Sequence, residues 1–147
     1  MSANMSASRP LTPTYTAAYN HVVMLVGRLL IASLFIQHGY MKLTNYAGTV
    51  KYFANWGFPM PEVTAVISII FEVGFGILLA IGWKTRWWAW AFIPYVIIAT
   101  AVAHRYWTYE GAQWFTQFSF FNKNLAVIGG LLYIAMCGPG RYSVDKV

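Results

Sequence analysis

Four stretches of the chain are apolar over about the thickness of a membrane, and no other feature limits its fold so strongly. They are Val22–Gly39, Val63–Trp83, Trp87–His104 and, less cleanly, Phe118–Gly138. At about 1.5 Å of rise per residue, some ~20 apolar residues cross ~30 Å of hydrocarbon as a helix. Charged residues make up only 10% of the 147, against roughly 25% in a soluble domain, so the chain lacks the polar coat that water would demand. Its seven Trp and ten Tyr suit aromatic belts at two membrane interfaces. The expected fold is all-α, a four-helix transmembrane bundle with interfacial segments between helices 1–2 and 3–4.

The connectors carry their own signals. In Asn45–Pro61, Tyr46, Val50, Phe53 and Trp56 recur near helical spacing, which predicts a helix lying in the interface before the Gly57/Pro59/Pro61 break. Tyr106–Phe121 is rich in aromatics and is expected along the headgroups. Gly82–Arg86 reads as a tight turn, and Gly138-Pro139-Gly140 as the end of the last helix. Pro94 predicts a kink in the third span. Residues 1–20 are small and polar, which predicts a flexible tail rather than a cleaved signal, with the membrane domain over 21–147. An even number of spans puts Arg9, Lys84, Arg86, Arg141 and Lys146 on one side and Lys42, Lys51, Arg105 and Lys123 on the other. That slight excess favours cytoplasmic termini.

The net charge of +6 is scattered along the chain, so anionic lipid headgroups, not nucleic acid, are the expected partner. The lone Cys137 excludes an internal disulfide and any cysteine-built metal or iron–sulfur site, and it reads as a packing residue. No motif for an intrinsic cofactor is present, and no metal ligation is expected.

Glu72 is the conspicuous residue. It sits inside "SIIFEVGFGILLAIG" (Ser68–Gly82), where a carboxylate is costly unless neutralised, solvated or used. Ala65, Ser68, Glu72, Gly76 and Leu79 share a helix face, and its small residues point to close packing on another helix. Arg28 lies inside the first span. Because intramembrane ions usually pair, the expectation is an Arg28–Glu72 polar pair that fixes helix register, serves a functional site, or both. Up-and-down threading places His38, Lys42, His104, Lys123 and Asn124 together at one membrane end, and Arg28 in the opposite half.

Arg28, "FIQHGYMKL" (Phe35–Leu43), "FEVGFGILLAIGWKTR" (Phe71–Arg86), "FFNKNLAVIGGLL" (Phe120–Leu132) and "GPGRYSVD" (Gly138–Asp145) follow one another in order. Together they resemble the DoxX family of small four-helix membrane proteins, from about Val23 to Asp145. The resemblance implies an inner-membrane bundle of the bacterial type. It also implies a link, in some relatives, to membrane subunits of thiosulfate:quinone oxidoreductases or to redox-stress complexes. A quinone site needs a flat apolar slot, donors to two oxygens and a proton source. Glu72 with His38, Lys42, His104, Lys123 and Asn124 are the candidates to supply them, with no catalytic role assigned to any one. A bis-histidine haem would require His38 and His104 to face each other, a rarer arrangement than two separate interfacial histidines. Electrons would therefore come from a partner protein.

Three readings follow. One is a small quinone-interacting subunit of a membrane oxidoreductase. Another is a non-catalytic accessory or assembly subunit of a larger membrane complex. The third is a proton path or small-molecule transporter. Gly74–Gly76 and Gly129–Gly130 leave room for a homo-oligomeric contact.

Overall fold

In a computed structural model, secondary structure is described for residues 14–145 and side chains from residue 20 onward. Most of the tail expected at 1–20 lies outside the described residues, as do 146 and 147. Helix α1 spans Thr14–Thr44, so its first turns reach back into that stretch. Helix α2 (Tyr46–Asn55) is the short amphipathic segment expected in the first connector. Helix α3 (Pro61–Ile69) starts with proline at its first turn, where the missing N–H costs nothing. It passes through a π-helical turn (Ile70–Phe75) and continues as α4 (Gly76–Ile81). Helix α5 covers Thr85–Ala103, and a 3₁₀ turn at Tyr106–Thr108 leads to α6 (Gly111–Cys137). Four helical segments are long and apolar enough to cross a membrane: Asn20–Thr44, Pro61–Ile81, Thr85–Thr108 and Gly111–Cys137.

The first span packs against the second along its whole length and against α6, α5 packs chiefly on α6, and α4 meets α5 beyond the tight turn. The buried centre is Ala32, Phe35, Leu79, Phe92, Val96 and Leu131, with Phe35 and Phe92 stacked at 4.0 Å between ring centroids. The outer faces carry exposed Val22, Leu30, Ile67, Ile98 and Met136. In water such faces would drive aggregation; in a bilayer they meet acyl chains. The protein is thus an integral membrane protein.

Two sequence expectations are refined. The aromatic stretch before the fourth span is not a separate connector, because α6 already begins at Gly111. Trp114, Phe118 and Phe121 fall on one face of that helix, and all pack edge-on against Tyr106. With 27 residues, α6 is about 40 Å long at 1.5 Å per residue, so its first turns still lie beyond the hydrocarbon. Helix α5 is continuous through Pro94, the residue at which a kink is expected.

The turn between α4 and α5 is held from below by the C-terminal segment. Gly82 adopts φ 76°, and a Cβ there would lie 2.5 Å from Ser143 Cβ and 2.7 Å from Arg28 Nη1. Both the left-handed conformation and the close approach require glycine. Val144 N–H donates to Ile81 O, and Asp145 N–H to Gly82 O. The Asp145 carboxylate accepts from Lys84 N–H (2.8 Å) and Thr85 N–H (2.9 Å), capping α5 from a distant part of the chain. Burial alone would push the Asp145 carboxyl up. The Thr85 and Lys84 N–H donors and the Arg28 charge outweigh it and hold the group below its ordinary value.

Candidate functional site

Glu72 lies eleven residues after Pro61, about 16 Å along the helix at 1.5 Å per residue and so near the bilayer midplane. It is 5% exposed. The face expected around it is realised, with Ala65, Ser68, Glu72, Gly76 and Leu79 all buried. What lets α1 approach so closely is Gly39. A Cβ on it would fall 2.7 Å from Val73 Cγ2, 2.9 Å from Glu72 Cβ and 3.0 Å from Val73 N. Three residues on, Lys42 shares the face of Gly39, and its Nζ sits 2.5 Å from Glu72 Oε1. The Gly39-x-x-Lys42 spacing is therefore a packing notch followed by a counter-ion.

The Tyr95 hydroxyl donates to the same Oε1 at 2.6 Å. Its ring is stacked on Phe71 at 4.7 Å between centroids, which fixes the aim of the hydroxyl. Glu72 Oε2 is buried and has no hydrogen-bond partner. A buried carboxylate oxygen left unsatisfied is costly, and Glu72 is among the residues lining a cavity.

That cavity has a volume of about 410 Å³, within the range of small-molecule sites. Its polar lining comprises His38, Lys42, Glu72, His104, Lys123 and Asn124, together with Tyr52 and Tyr95. Thr64 and Ser68 add two hydroxyls, and the remainder is apolar: Phe35, Ile67, Val96 and Ile98 contribute to the walls, and Phe53 and Phe58 come from α2 and its following loop. All five residues expected at one membrane end thus meet around one space, with Glu72 beside them. Helix α2 is tied down by Thr49 Oγ1, which donates to Asn45 O (2.9 Å) and Lys42 O (3.2 Å). Arg105 lies over the Trp56 ring at 4.9 Å, joining the far end of this segment to the residues that follow α5. Burial raises the Tyr52 phenol above its ordinary value, so it stays a neutral donor.

The polar groups at the cavity's other end are arranged differently. Asn124 Nδ2–H donates to Thr100 Oγ1 (2.9 Å), and Thr100 Oγ1–H to Val96 O (2.6 Å). His104 Nδ1 pairs with Gln117 Oε1 at 2.9 Å, leaving Nε2 free of that bond. His38 Nδ1 lies 2.7 Å from Leu34 O. Lys123 Nζ sits 5.2 Å from the Phe120 ring centroid. The described residues include every acidic side chain of the protein, and the only ion pair among them is Lys42–Glu72. Lys123 is thus a cation on the cavity wall without a carboxylate.

Arg28 and Glu72 are not paired. Arg28 precedes Gly39 by eleven residues, about 16 Å along α1, whereas Glu72 lies level with Gly39. The guanidinium, 2% exposed, donates instead to Pro139 O and Tyr142 O, both at 2.6 Å. It satisfies carbonyls freed where α6 ends and the chain folds back under the bundle. Its charge is balanced in part by Asp145.

Residues 23–105 match the DoxX family description. The chain belongs to the DoxX family. It is 35% identical over 125 residues to the inner membrane protein YphA of Escherichia coli, covering 85% of this chain and 89% of that protein. To the inner membrane protein YqjF of the same organism it is 34% identical over 126 residues, 86% and 92% of the two chains. It is also 32% identical over 112 residues to the ER-derived vesicles protein ERV29 of Saccharomyces cerevisiae, 74% of this chain but 34% of that longer one. No solved structure matches it.

Within this DoxX bundle, sequence reasoning missed Tyr95, Tyr52 and Gln117. A signal for Tyr95 was present, since a tyrosine deep in an apolar span needs a partner for its hydroxyl. Nothing local marks Tyr52 or Gln117, whose roles follow from how α2 and α6 fold over the cavity.

Proposed function

We propose that this DoxX-family protein binds the head of a quinone–quinol couple in the Glu72 cavity, as the small membrane subunit of a redox complex in the bacterial inner membrane. The single observation carrying the reading is the Glu72 carboxylate, which has one oxygen without a partner and belongs to the wall of a cavity of mixed polar and apolar lining. A quinol hydroxyl offers the missing donor. Lys42 and Tyr95, both on Oε1, hold the carboxylate in place and offset its charge, which suits Glu72 to take up or return a hydroxyl proton. The second ring oxygen would meet the mouth, where Lys123, Asn124 and His104 provide polar contacts. Interconversion moves two electrons and two protons. The electrons would pass to a cofactor of a partner subunit. The names of the two E. coli relatives support the membrane assignment, and the family resemblance supports the quinone.

Intrinsic tryptophan fluorescence of the protein in nanodiscs, titrated with an alkyl hydroquinone, tests this. A hydrogen bond to a charged acceptor contributes about 1.5–3 kcal/mol, so Glu72→Gln should weaken binding about tenfold or more. Equal affinity in the two proteins, or no binding to either, would contradict the reading.

A further inference from the structure

We propose that the cavity opens sideways into the bilayer between α3 and α5, and that its occupant is a membrane-dissolved amphiphile whose apolar tail lies in that gap. The inference rests on the cavity being a ligand site and adds where the ligand's tail sits.

Helix α3 packs against α1 and α2 and makes no comparable packing with α5; this helix meets α5 through the side chains of the π turn and, below it, through α4. The π turn between these halves widens the helix by a residue per turn, and Glu72 sits on it. At its level Glu72 and Phe71 reach Tyr95 by side chains alone. Above it the two helices are apart.

Ile67 on α3 and Ile98 on α5 both line the cavity, yet each is 59% exposed. They stand on opposite rims of an opening. Ile67 is six residues inside the span that starts at Pro61, about 9 Å deep at 1.5 Å per residue, so the opening faces hydrocarbon rather than water. Small side chains, Ser68 and Ala99, lie behind the rims. Toward water, Tyr52, Phe53 and Phe58 cover the cavity, with Phe53 and Phe58 packed edge-on at 5.3 Å. A polar head seated at Glu72 would thus leave its tail one apolar exit, through the α3–α5 gap.

The test is photolabelling in nanodiscs with a hydroquinone whose alkyl tail carries a diazirine, followed by peptide mass spectrometry. A fatty alcohol with the same tail is the second probe. The proposal expects hydroquinone labels at Ile67 and Ile98 and their neighbours. Ala99→Trp should lower this labelling about tenfold, because the indole would fill the opening that the tail must enter. Should Ala99→Trp fail to fold, Ile98→Ala at the exposed rim serves: labelling at Ile67 persists while that at 98 is lost. Labels on α2 or on the first turns of α6 instead would overturn the sideways opening, even with hydroquinone bound. Equal labelling of the rims by both probes, blocked by Ala99→Trp, would uphold the opening while removing the quinone reading.

Discussion

Glu72 and Arg28 look alike in the sequence, each a lone charge in an apolar helix, and differ in what neutralises them. Glu72 shares one oxygen between an ammonium and a phenol. Arg28 holds two backbone carbonyls at the other end of the bundle. A double-mutant cycle should separate them. Lys42→Met and Glu72→Gln are expected to couple by about 1–3 kcal/mol, whereas Arg28→Met and Glu72→Gln should add within about 0.5 kcal/mol. Thermal unfolding in detergent, followed by circular dichroism, reads both. Helical phase and depth could place Arg28 and Glu72 on inward faces, which is correct. They could not reveal that residues 138–145 fold back to occupy the guanidinium first, or that Gly39 brings Lys42 level with Glu72. The grouping of His38, Lys42, His104, Lys123 and Asn124 was legible because up-and-down threading alone decides which helix ends share a side.

At the scale of elements, the spans follow from hydropathy and their ends from glycine and proline, so they could be read directly. The π turn could not, since no local residue pattern distinguishes Ile70–Phe75 from α-helix. It packs closely on α1 at the Gly39 notch. Gly39→Ala places a Cβ against Val73 Cγ2 and backbone and should cost about 1–3 kcal/mol as an overpacked contact. Adding Val73→Ala removes the nearest of those atoms and should recover part of the loss. Unfolding midpoints of the single and double variants check this, and an additive double variant would place the strain elsewhere. The start of α6 was also hidden, because aromatic residues suit an interfacial loop and an interfacial helix equally.

Over the whole molecule, the two ends of the bundle do different work. One holds the cavity. The other is fastened by the C-terminal segment, through Arg28, the Gly82 turn and Asp145. Because the folded Asp145 lies below its ordinary value of 3.8, its contribution is complete above that pH. It is lost as pH falls through the lower folded value. The difference in thermal midpoint between the native protein and Asp145→Asn should therefore be constant above pH 3.8 and shrink below it. A difference that grows on acidification would contradict the cap. The cavity end carries the central claim, that the Glu72 carboxylate accepts a hydrogen bond from a ligand hydroxyl. The chain has three glutamates, Glu62, Glu72 and Glu110, so side-chain carboxyl ¹³C labelling gives a spectrum that single Gln substitutions can assign. Adding an alkyl hydroquinone to the labelled protein in nanodiscs should shift the Glu72 resonance and leave the other two in place. Movement of Glu62 or Glu110 alone, or of none, would contradict the account.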